Sequence, residues 1–359
     1  MKRFLTRIVQ AAAVALLLQA CVLSVDVSTT PVPVEGQIGE VPEEDRGELP
    51  AWLEQGYEGS LLLIFVQQGS REVILLDLET AEETTIFDIP DNAFVTAAEM
   101  SPDGETVLIT YAPAPPQGEF QAGHTGVYVL PADGGGEPHM ILDGSAVEES
   151  YFFTTWSPDG EYIYYSHFKP SDAETDEGFK YTVERIQFPY GDAEVLVEDA
   201  FWPRLSPDGE ILAYLTFEAV NNELYLADAD GVNQRPAIDD PEFAIVDAPV
   251  FSPDGSTLLF SAPSFAPDNE TQPWLSQFFG VRKVLAHNVP SDWWQVPAEG
   301  GTPQRLTNIF TASLYADYSP DGEYIASVSA VGVFIMRADG SGLEFVVEGL
   351  AQGTLDWIP

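Results

Sequence analysis

The chain holds one cysteine, four histidines and only 14 Lys+Arg against 58 Asp+Glu, a formal charge of −44. A lone thiol forms no internal disulfide, so the fold must be held by its own core. So few cations on so acidic a body exclude DNA, RNA and anionic lipid headgroups, whose binding rests on Lys and Arg contacts to phosphate. The histidines (His124, His139, His167, His287) lack metal-ligand spacing. No Gly-X-Ser-X-Gly elbow is present, which removes the α/β-hydrolase nucleophile. Ser166-His-Phe-Lys169 fits Ser-X-X-Lys but lies in strand-forming sequence, where it reads as coincidence. Asp228-Ala-Asp-Gly-Val-Asn233 lacks the closing Glu of a calcium loop and reads as a turn.

Long apolar runs are also missing. Ile8–Ala20 is a 13-residue stretch behind the basic Met1–Arg7, a secretory signal pattern shorter than the ~20 residues of a membrane span. Its end, Leu18-Gln-Ala-Cys21, resembles a bacterial lipobox, and the only cysteine falls at the lipidated position. Residues 1–20 are therefore read as a lipoprotein signal peptide; an ordinary cleaved signal or an uncleaved anchor is the alternative. A diacylated Cys21 would supply two chains, enough for stable anchoring. Residues 21–58, rich in Pro, Ser, Thr and acid, read as an extended tether.

What the sequence does have is repetition. Ser-Pro-Asp-Gly occurs at Ser101–Gly104, Ser157–Gly160, Ser206–Gly209, Ser252–Gly255 and Ser319–Gly322, at intervals of 56, 49, 46 and 67 residues. A bulky apolar residue precedes each copy (Met100, Trp156, Leu205, Phe251, Tyr318), and a β-rich run follows. Asp-Gly between two such runs predicts a hairpin with a two-residue type I′ turn. A third strand, a polar turn such as Ala132-Asp-Gly-Gly135 and a short fourth strand come next. Four antiparallel strands per repeat make the blade of a β-propeller.

Residues 60–88 supply three strands without the motif, and Thr354–Pro359 supplies a first strand with nothing after it. The tail is thus expected to complete the first blade and close the ring. The prediction is an all-β, six-bladed propeller over 59–359, with blades near 59–90 plus 353–359, 91–145, 146–199, 200–242, 243–310 and 311–352. A seventh blade stays open if Pro50–Leu53 forms a strand.

At these motifs the chain resembles the TolB-type, WD-repeat-like propellers. Phe251-Ser-Pro-Asp-Gly255 followed by Val296-Pro-Ala-Glu-Gly-Gly-Thr-Pro-Gln-Arg-Leu-Thr307 is the fullest match. The motif-less first blade and the degraded fourth strand Arg235–Ile238 are departures. The resemblance implies protein–protein interaction in the cell envelope, although such propellers also occur fused to hydrolases.

Two candidate sites follow. Side chains alternate along the innermost strand, so the residues two before each motif Ser, Glu99, Thr155, Arg204, Val250 and Asp317, with Asp356 in the tail, are expected to face the axis. Glu99, Arg204, Asp317 and Asp356 could hold a divalent cation or polar ligand there; the plainer reading is a wet channel with no cofactor. Crowded carboxylates would raise at least one pKa. The second site is an insertion in the fifth blade, Ala262–Pro290. There Trp274, Phe278, Val281 and Leu285 fall at helical spacing around Arg282 and Lys283, a helix presenting a partner surface or plugging exposed blade surface. The expected function is a non-catalytic, lipid-anchored, monomeric extracytoplasmic propeller that binds an envelope protein or polymer. A channel-metal hydrolase of the lactonase or glycan-cleaving kind, and a sensor subunit of an envelope complex, are the alternatives.

Overall fold

A computed structural model describes residues 50–359 except 68–69, 116–123, 145–148, 171–177, 219–220, 240–242, 244, 265–289, 330 and 349. Six antiparallel sheets follow one another along the chain. Blade 2 comprises Phe94–Met100, Thr106–Ala112, Gly126–Pro131 and His139–Leu142, and blade 3 comprises Ser150–Trp156, Tyr162–Pro170, Phe179–Gln187 and Ala193–Glu198. Blade 4 is Ala200–Leu205, Ile211–Glu218, Asn221–Asp228 and Arg235–Pro236; blade 5 is Asp247–Phe251, Thr257–Pro263, Ser291–Pro297 and Gln304–Arg305. Blade 6 is Tyr315–Tyr318, Tyr324–Ser329, Gly332–Arg337 and Glu344–Glu348.

Blade 1 (Ser60–Gln67, Ser70–Asp77, Glu83–Asp88) takes its innermost strand from the other end of the chain. Asp356–Ile358 pairs antiparallel with Ser60–Leu62, and Leu350–Ala351 pairs with Phe65–Val66, so the closing segment starts a few residues before the expected 353. Trp357 locks the seam. It is 4% exposed, its indole N–H donates to the Glu58 carbonyl (3.0 Å), and its ring lies against Tyr57 and Tyr324. Residues 50–58 belong to this seam as well. Ala51–Gln55 is a short 3-10 turn rather than a strand, with Trp52 and Tyr57 buried, and the ring has six blades.

The Ser-Pro-Asp-Gly turns differ from the expected type I′ turn. Among the motif residues only the Gly has positive φ, between 70° and 74°. Pro fixes a negative φ at the second position, which type I′ forbids, and a negative φ at Asp leaves a type I turn with a left-handed Gly behind it. In every copy the Ser hydroxyl donates to the Asp carboxylate (2.5–2.6 Å) and accepts the N–H five residues on. The motifs also touch one another around the ring. A Cβ on Gly160, Gly209, Gly255 or Gly322 would stand 3.6–3.8 Å from the motif Pro of the preceding blade.

All five motif turns lie on one face and each joins the first two strands through five residues, as Ser157–Glu161 does. At the opposite face the second strands of blades 2, 3 and 5 end at Ala112, Pro170 and Pro263, and their third strands begin at Gly126, Phe179 and Ser291.

Candidate functional site

The position two before each motif Ser does bring the expected side chains together at the axis. Each acid accepts a main-chain N–H from the innermost strand of the next blade. Asp356 of blade 1 accepts from Met100 (2.7 Å), Glu99 of blade 2 from Trp156 (2.9 Å), and Asp317 of blade 6 from Trp357 (2.9 Å). Glu99 also accepts from the Thr155 hydroxyl at 2.8 Å, and Asp317 from the Tyr318 N–H at 2.9 Å. Arg204 of blade 4 stands 3.9 Å from Glu99. The carboxylates therefore stitch neighbouring blades across three consecutive boundaries.

Three acids with one distant cation are poorly stabilised as anions. Burial raises Glu99 to about 7, with the Asp356 charge adding to it and Arg204 opposing. Burial raises Asp317 to about 6 against the Trp357 N–H and its bond to Asp356. Asp356 goes to about 8 through burial and then the Asp317 charge. Asp317 and Asp356 are hydrogen-bonded, so one proton is shared and the pair titrates as a unit. Glu99 keeps 23% and Arg204 14% of side-chain exposure, which in so deep a place is exposure to the axial space.

A second tier lies two residues further along each innermost strand. Phe153, Trp202 and Ala248 sit in bulges, where the first strands of blades 3, 4 and 5 carry one residue more than their partners, at φ of 50°, 57° and 48°. Phe153 stacks on Trp202 at 3.8 Å, and Trp202 lies 5.6 Å from Tyr315 of blade 6. Trp202 is 2% exposed. The rings narrow the axis and leave a pocket of only about 10 Å³ lined by residues including Arg204, Val250, Trp202, Tyr315 and Thr354. One water needs ~10–15 Å³, so this space holds about one water rather than a metabolite. An aromatic four residues before the motif Ser was visible in blades 3, 4 and 6; the bulge that aims it is a product of strand pairing.

A different polar cluster, which residue spacing does not reveal, lies in blade 3. Glu184 is 3% exposed and accepts from Lys169 Nζ (2.7 Å), Thr182 Oγ1 (2.7 Å), His167 Nδ1 (3.2 Å) and Tyr165 OH (3.3 Å). Burial alone would raise its pKa, but the bonds from His167, Lys169 and Thr182 outweigh it and take it to about 2. Tyr151 stacks on the His167 ring at 4.5 Å, and burial with the charges of Glu149, Glu184 and Asp143 pushes its phenol up to about 12. Ser166 and Lys169 do not act as a pair: the Ser166 hydroxyl accepts the Trp202 N–H, while Lys169 holds Glu184.

No known family profile matches the chain. Solved structures do. The putative TolB from Agrobacterium tumefaciens is 18% identical, with 84% of this chain and 99% of that one aligned at a TM-score of 0.56. The fold is a TolB-like propeller. A chain of the nidogen/laminin complex aligns over 83% of this chain and 97% of its own, at 14% identity and a TM-score of 0.56. The tricorn protease aligns over 80% of this chain and 29% of its own, at 10% identity and a TM-score of 0.53. At these identities the likeness is one of architecture.

In this TolB-like propeller the four axial candidates converge. Cys21 and the blade-5 residues Trp274, Phe278, Arg282 and Lys283 lie outside the described residues. Among the described residues no helix is long and apolar enough to cross a membrane, and no group of three or more His, Cys, Asp or Glu is arranged around a metal position. The face opposite the motif turns has an anchored apolar point. Buried Asp292 pairs with Arg305 and accepts the N–H groups of Ile309 and Phe310, presenting Phe310 at 62% exposure; Val331 on the same face is 60% exposed.

Proposed function

We propose that the protein is a non-catalytic binding or scaffold module of the cell envelope. It is held outside the cytoplasm by lipid on Cys21 and engages a protein or polymer through the face opposite the Ser-Pro-Asp-Gly turns. The observation that carries this reading is the commitment of the axial carboxylates to main-chain N–H groups beneath an aromatic tier. A channel whose acids hold the ring together is an interior, and recognition falls to the outer faces. The high negative charge favours neutral or basic partners. The TolB and nidogen/laminin structures lend the reading general support as propellers of the same architecture.

The test has two parts. Cys21→Ser should move the protein from the membrane to the soluble fraction, and unchanged fractionation defeats the anchor. Partner capture from the native envelope should be lost in Phe310→Asp and kept in the motif-face variant Glu161→Lys. Loss in Glu161→Lys alone reverses the face. A hydrolytic activity abolished by Glu99→Gln with folding intact would defeat the non-catalytic reading.

A further inference from the structure

His167 poses a chemical problem that its neighbours do not solve. Its Nδ1 lies 3.2 Å from Glu184, a carboxylate that can only accept, so Nδ1 carries a proton. Nε2, on the other side of the ring, is buried and without a hydrogen-bond partner in a residue only 8% exposed. It faces the Glu149 carboxylate at 3.5 Å. A neutral imidazole would there point a lone pair at an anion, so a cation belongs between the two atoms. A proton would draw them to about 2.7–2.9 Å, the span of a charge-assisted hydrogen bond. Two ligands of one tetrahedral ion with bonds of ~2.0–2.1 Å sit roughly 3.3 Å apart, close to the spacing found.

We propose that His167 Nε2 and Glu149 bind a divalent transition-metal ion of the zinc type, with Glu184 as the positioning residue that fixes the ligating tautomer. A carboxylate on the far nitrogen is the usual support of a metal-binding histidine. The ring itself is clamped, since Tyr151 stacks on it and Tyr151 in turn meets Tyr165 edge-on at 5.5 Å. Glu149 stands at the entry to blade 3 on the face opposite the motif turns, and 35% of its side chain is exposed. Ion exchange from solvent is therefore open. Two protein ligands leave the remaining positions to water or to a donor from a bound partner, a moderate site rather than a closed structural one. Nothing in the proposal depends on how the envelope partner is bound.

The experiment is a Co2+ titration of the full chain, without a polyhistidine tag, followed by visible d–d absorption and by Zn2+ competition. Wild type should bind one equivalent with a nitrogen ligand in the spectrum. His167→Gln and Glu149→Gln should each abolish that signal, Glu184→Gln should weaken it 10–100-fold, and the exposed-histidine control His139→Asn should leave it intact. Glu149→Gln is the arm to trust if His167→Gln lowers the melting temperature, because Glu149 is at the surface. Binding equal in wild type and Glu149→Gln overturns the site and assigns the ion to the acidic surface. An imidazole 15N spectrum with both nitrogens protonated, unmoved by Zn2+, overturns it in favour of a proton alone.

Discussion

Two buried acid clusters in one propeller behave in opposite ways. Glu184 in blade 3 has four donors around it and is held at about 2, whereas Glu99, Asp317 and Asp356 at the axis are raised to about 7, 6 and 8. Burial pushes all four in the same direction; the number and charge of the donors decide the outcome. At the axis each carboxylate meets neutral main-chain N–H groups and other carboxylates, with one guanidinium at 3.9 Å. In blade 3 an ammonium, an imidazole and two hydroxyls converge on one side chain. The first arrangement joins blades, and the second rigidifies one blade.

The largest effect should come from breaking the axial side at the seam. Deleting 353–359 removes Asp356 and Trp357 together. Loss of the buried Trp357 ring alone costs about 3–5 kcal/mol, so melting should fall by on the order of 10 °C in calorimetry. An unchanged melt would mean that the ring does not rely on its closing strand. Next in size, Glu184→Ala leaves Lys169 without its anion. Removing one member of a buried pair costs about 3–5 kcal/mol, and the 21% exposure of Lys169 points to the lower end in denaturant titration.

The comparison is sharpest in its pH dependence. Glu184 is depressed from 4.5, so its contribution is present above that pH and is lost as pH falls towards about 2. The axial acids are raised, so the folded state keeps protons that the unfolded chain releases; stability is greatest below their ordinary values and declines as pH rises through about 6 to 8. Asp356→Asn should flatten the alkaline limb only, and Glu184→Gln the acid limb only, in melting curves across pH. Exchanged limbs would refute the assignment of causes. The smallest effect belongs to the motif: Ser157→Ala removes the hydroxyl's bond to Asp159 and its acceptance of the Tyr162 N–H, and should cost about 1–2 kcal/mol in denaturant titration.

Much of this was legible because it is local. Ser-Pro-Asp-Gly specifies a turn through residues adjacent in the chain, and period-two alternation then aims Glu99, Arg204, Asp317 and Asp356 inward. Even here the turn type needed the Pro constraint to be taken at full weight. Trp202 and Phe153 stand four residues before their motif Ser, but the bulges that turn them to the axis arise only when two strands pair with unequal residue counts. The blade-3 cluster was not legible at all. His167, Lys169, Thr182 and Glu184 come from two paired strands, with Tyr151 from a third. His167 looked solitary because its partners lie 15–18 positions away in sequence.

By itself the sequence determined the repeat, the propeller ring and the role of the last segment as its closing strand, since turns and alternation are properties of neighbours along the chain. That residues 50–53 add no seventh blade was decided by the structure. Only the tertiary structure decided what the inward acids do and where His167 sits. A carboxylate's protonation and a ring nitrogen's partner depend on which distant atoms surround them once water has been excluded.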